Sequence, residues 1–72
     1  MHTIQAMKLI ARAVQLADSG FEGDFLSEAC KGADRLDKEM VCAMVRRQLE
    51  AQGKQHASGA ALAEVIRPLA WT

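Results

Sequence analysis

Between Leu36 and Gln52 the apolar residues recur every three or four positions. At 100° per residue, Met40, Val41, Met44, Val45, Leu49 and Ala51 fall on one side of a helix, and Glu39, Arg46, Arg47 and Glu50 on the other. The pattern predicts a central helix over 36–52 around which the rest of the chain is organised. Its apolar arc is wide, roughly 180°, where a helix meeting one partner needs about 100°. Two neighbours are therefore expected, from this chain or from a second subunit. Asp37, or alternatively Asp34, is placed to accept from the free N–H groups of the first turn. Leu36 is placed to pack on Val41 as a hydrophobic staple, and Gly53 to close the helix in the left-handed conformation. Arg46 and Glu50 stand one turn apart as a weak surface pair.

Residues 3–19 predict a second long helix, with Thr3 as N-cap and Gly20 following its end. Its polar stripe is narrow: Gln5, Lys8, Arg12 and Gln15. Met7, Leu9, Ile10, Val14, Leu16 and several alanines fill the remaining circumference, and the alanines allow another helix to come close. The two glycines of GFEGD, residues 20–24, mark a turn in which Phe21 is expected to plug the core. Asp24 then caps a short helix over 25–31, ended by Gly32, with Phe25, Leu26, Ala29 and Cys30 inward. Residues 53–59, GKQHASG, read as a flexible loop. Ser58 caps a final helix over 59–67, with Leu62, Val65 and Ile66 inward and Glu64 and Arg67 outward. Pro68 cannot continue that helix without a clash at the Glu64 carbonyl. Residues 69–72 are expected to leave in an extended or turn form.

Composition agrees with this pattern. Half of the 72 residues are apolar and a quarter charged, which is a globular balance. Few β-branched or aromatic residues and much Ala, Leu, Met, Glu, Gln and Arg point to an all-α protein. The expectation is a single helical domain over 1–72, a small bundle of three to four helices. A chain this short buries little apolar surface alone, and two oversized apolar arcs predict pairing as a two-fold homodimer.

Formal net charge is zero and the isoelectric point about 6.7. No basic excess is present to hold a polyphosphate backbone or an anionic membrane. The opening MHTIQAMKL lacks the basic and apolar regions of a secretory signal, and no apolar run approaches the length of a membrane span. With two cysteines and no export signal, a reducing, cytoplasmic setting with free thiols is expected.

Candidate chemistry is sparse. Cys30, Cys42, His2 and His56 are scattered singly, without the paired spacing of a zinc site, so the cysteines read as small buried hydrophobes and the histidines as surface residues. A Cys30–Cys42 disulfide is geometrically open if their helices form a hairpin, though a reducing compartment disfavours it. A Cys42–His56 nucleophile pair would need an activated thiolate and an oxyanion hole, and neither is evident. Asp18 to Asp24 begins like a calcium loop, with acids at the first and fifth positions and Gly at the sixth. It carries Gly20 at the third position and Ala29 at the twelfth, where ligands belong. Helix, turn and helix over 25–52 superficially match a DNA reader, but the turn glycine stands in the wrong register and the charge is neutral.

These readings favour a non-enzymatic, protein-binding regulator or inhibitor that acts through apolar helix faces, with neither cofactor nor metal. Phages and mobile elements disarm host machinery with small proteins of this general kind, an analogy at the level of class. Its partners would be a second copy of itself and a larger protein. The candidate interface is Met7, Ile10, Val14, Met40, Met44 and Trp71: methionines repack around partners, and Trp is enriched at interface hot spots. A lone Trp at this place more often closes one end of a small core, and that reading stands beside the interface one. The alternative is a helix-turn-helix-like DNA-binding repressor whose Arg46, Arg47 and Lys54 meet phosphates.

Overall fold

The computed structural model describes residues 2–70, with His2 as backbone only. The chain forms α1 (His2–Asp18), α2 (Phe25–Ala29), α3 (Arg35–Ala51) and α4 (Gly59–Ile66), then a 3₁₀ turn over Arg67–Leu69. Among the described residues there is no strand, and the all-α expectation holds.

The long helices end as their glycines require. At the end of α1, the Gly20 N–H donates to the Ala17 carbonyl at 3.2 Å and the Phe21 N–H to the Leu16 carbonyl at 3.0 Å. At the end of α3, Gly53 donates to Glu50 at 3.0 Å and Lys54 to Leu49 at 2.9 Å. Both are Schellman closures, which need a positive φ; Gly20 has +86° and Gly53 +68°. The Asp24 carboxylate accepts from the Ser27 N–H at 3.1 Å, capping α2 as expected. α2 is shorter than expected, because Cys30 already leaves helical geometry.

At the start of α3 it is Asp34, the alternative, that holds the N-cap position, with extended backbone. Asp37 falls in the first turn, where a negative charge suits the helix dipole. The earlier start corrects the staple. Leu36 lies within the helix, about 140° around it from Val41, and its side chain is 58% exposed. Phe21 is likewise no core plug. The closure of α1 turns the chain back at the surface, and Phe21 is 38% exposed. Pro68 ends α4 as its ring demands, but the chain makes the 3₁₀ turn before Ala70 becomes extended, so Leu69 belongs to that turn.

The hub is α1, not α3. α1 packs against α2, α3, α4 and the 3₁₀ turn, whereas α3 meets α1 and α4. Ala6, Ile10, Ala13 and Val14 of α1 are buried, and Phe25 and Ala29 of α2 close over them. Val41 and Val45 come in from α3, and Ala63, Val65 and Ile66 from α4. Among the described residues no polar or charged side chain is buried, so the core holds by apolar packing alone. The Ala6–Ile10–Ala13–Val14 stripe of α1 is thus covered within its own chain, while Met7, Leu9 and Leu16 are half-buried and Ile4 is exposed. α3 meets two neighbours, as its arc requires.

One ion-pair fork ties the two ends of the fold. Arg67 donates to both carboxylate oxygens of Asp18, at 3.0 and 2.9 Å, and reaches Glu64 at 3.4 Å. The hydrogen bond from Arg67 holds the Asp18 carboxyl below its ordinary pKa, and the paired carboxylates raise that of Arg67. Outer α3 carries Arg35–Glu39 at 3.4 Å in place of the expected Arg46–Glu50 pair.

Candidate protein-binding groove

α2 is five residues long and rests on α1, so it does not close against the far side of the bundle. A groove of about 690 Å³ remains between α2, α3, the N-terminal turn of α4 and the preceding loop. Phe25, Leu26 and Cys30 line it from the α2 side, Lys38 and Cys42 from α3, and His56, Ala57 and Leu62 from the loop and α4. The α3 residues explain the geometry. Lys38, Cys42 and Leu49 form one flank of the buried Val41–Val45 ridge, and Leu36, Met40 and Met44 the other.

A second cleft of about 470 Å³ shares Gly23, Phe25 and Gly59 with the groove and runs on past Phe21 and Ala63. Its rim is acidic, with Glu22, Glu64 and Asp18 around Arg67. The groove is mainly apolar, with Lys38 and His56 in its lining, and the second cleft is more polar, with carboxylates around Arg67.

Both cysteines are free thiols. Cys30 is half-buried, but Cys42 is exposed, which corrects the expectation of two buried hydrophobes. Burial pushes the Cys30 thiol up, the nearby Cys42 adds to that push, and Lys38 opposes it. At neutral pH Cys30 is a protonated thiol and a poor nucleophile. His56 shares the groove with Cys42, and no hydrogen bond joins them. Among the described residues no three His, Cys, Asp or Glu side chains are grouped to hold a metal ion.

The interface residues read from the sequence do not form one surface. Ile10 and Val14 are inside the core, so they face no partner. Met7, Met40 and Met44 are half-buried, the last two against the core from the outer flank of α3. Trp71 lies outside the described residues. Arg46, Arg47 and Lys54 are all exposed, and Arg46 shares a shallow cleft on α3 with Arg35 and Lys38. The groove itself was missed. Its signals were present separately, in the inward face of α2, the polar loop and Leu62, but only the fold brings them together.

No helix among the described residues is long and apolar enough to cross a membrane. Comparison with protein-family models, with curated proteins and with solved structures finds no match to this chain.

Proposed function

We propose that the protein is a non-enzymatic, protein-binding regulator or inhibitor that seats a segment of a larger protein in the groove between α2, α3 and α4. The groove carries the reading: it is larger and more apolar than the cleft that adjoins it, and Phe25, Leu26 and Leu62 line it. The fitting occupant is an amphipathic segment, apolar along its middle, with an acidic side chain facing Lys38 and basic side chains facing Glu22 and Glu64. Self-association belongs to the same proposal. Leu36, Met40 and Met44 form an apolar ridge at helical spacing that a second copy would cover.

Capture from the native host, read by mass spectrometry, tests the groove when run on three proteins. Cys42→Glu puts a charge into the groove while leaving α3 intact, since Lys38 and Arg46 stand one turn to either side. Leu36→Glu alters only the outer ridge. The wild type and Leu36→Glu capture the same protein and Cys42→Glu does not; equal capture by all three removes the groove. Sedimentation equilibrium tests the dimer, and a stable monomer at high micromolar concentration removes it. A second reading, a DNA-binding repressor, draws on the exposure of Arg46, Arg47 and Lys54. Absence of binding to mixed duplex DNA at low salt removes that reading, because the electrostatic attraction is then greatest.

A further inference from the structure

Two thiols lie in the wall of one groove. Cys30 stands at the C-terminal end of α2 and Cys42 in the middle of α3, and both line the same cavity. They sense each other electrostatically, and neither is engaged in a disulfide. α2, which carries Cys30, is short and sits between two glycines in left-handed conformations, Gly23 at φ +115° and Gly32 at +84°. Phe25 and Ala29 anchor α2 to the core, and the glycines on either side give the backbone at its Cys30 end the freedom that a cross-link needs. Cys30 packs against the edge of the core and Cys42 is exposed on α3.

We propose that Cys30 and Cys42 form a reversible disulfide across the groove, so that an oxidant of the peroxide class switches docking off. The inference rests on the docking reading for its consequence, not for its chemistry. The exposed Cys42 reacts first: its thiolate sulfur attacks one peroxide oxygen, the O–O bond breaks, and hydroxide leaves to become water on protonation. The Cys42 sulfenic acid is then attacked by the Cys30 sulfur. The S–S bond forms, the S–O bond breaks, and the departing hydroxide takes up the Cys30 proton as a second water. Two electrons pass from the thiol pair to one peroxide. A dithiol reductant reverses the bond by exchange. Drawing the sulfurs to about 2.05 Å pulls the end of α2 toward α3 and narrows the space between them.

The experiment uses the full chain at low micromolar concentration, with hydrogen peroxide as oxidant and the dye 8-anilinonaphthalene-1-sulfonate as the groove probe. After oxidation, thiol blocking and trypsin digestion under non-reducing conditions, peptide 13–31 joined to peptide 39–46 is expected, two hydrogens lighter than the separate pair. Cys30→Ser and Cys42→Ser give no such species. The reduced wild type enhances dye fluorescence, oxidation removes the enhancement, and dithiothreitol restores it. Singly oxidised or intermolecularly linked cysteines, without the joined peptide, overturn the disulfide. The joined peptide with unchanged fluorescence overturns the switch. Failure of the reduced protein to enhance the dye tells against the groove itself and leaves the bond standing.

Discussion

α1 and α3 are both 17 residues long, and both present wide apolar arcs, yet they end in different surroundings. Four residues of α1 are buried, and three other elements and the 3₁₀ turn lie against it. α3 buries Val41 and Val45, and its remaining large apolar side chains stay half in water. Residue size accounts for the difference. Ala6 and Ala13 flank Ile10 and let neighbouring backbones come close, so α1 can be surrounded. Met40, Met44 and Leu49 are bulkier and only half-buried, and both flanks of its valine ridge stay partly uncovered. Arc width thus counts how many apolar residues a helix offers, and side-chain bulk decides how many get covered.

The largest test of this contrast is Ile10→Ala. It empties a fully buried position on the hub and costs about 2–5 kcal/mol, comparable with the whole stability of a domain this small. Met44→Ala on the flank of α3 costs about 1–2 kcal/mol, since its side chain is already partly hydrated. Urea unfolding followed by circular dichroism compares the two, and equal losses would break the distinction. Overfilling sharpens the same point. Ala13→Leu forces extra volume against a packed neighbour, at about 1–3 kcal/mol, whereas Ala43→Leu on the outer face of α3 stays within about 0.5 kcal/mol.

A smaller effect comes from the fork that fastens the C-terminal segment to α1 instead of α3. The folded-state pKa of Asp18 lies below its ordinary value. Its stabilisation is therefore present above the ordinary carboxylate range and is lost as pH falls through the folded value. Melting temperature should drop more steeply below about pH 4 in the wild type than in Asp18→Asn. Parallel acid limbs for the two proteins would show that the fork contributes nothing. The least effect is expected at Arg46→Ala, on the solvated face of α3: an unchanged urea midpoint.

Much of the architecture was legible because its signals are local. Gly20, Gly53 and Asp24 sit where helix ends need them, and the period of 3.6 located all four helices. The errors came where local and tertiary demands diverge. Phe21 and Leu36 are large and apolar, so they read as buried, yet chain direction at a helix end and angular position on α3 place both outside. Ile10 and Val14 read as partner contacts because a wide arc carries no information about which chain covers it. The groove was beyond sequence reasoning for a similar cause: it depends on which side α2 leans toward, a matter of packing between segments far apart along the chain.

The central place of α1 also sets an order of assembly during synthesis. α1 is synthesised before α4, so part of its cover, Ala63, Val65 and Ile66, follows it by more than forty residues. Until α4 emerges, α1 lacks its final layer, a species that chaperones recognise and that aggregation favours. Slowing translation between the codons for α3 and α4 should prolong that interval and lower the yield of folded protein.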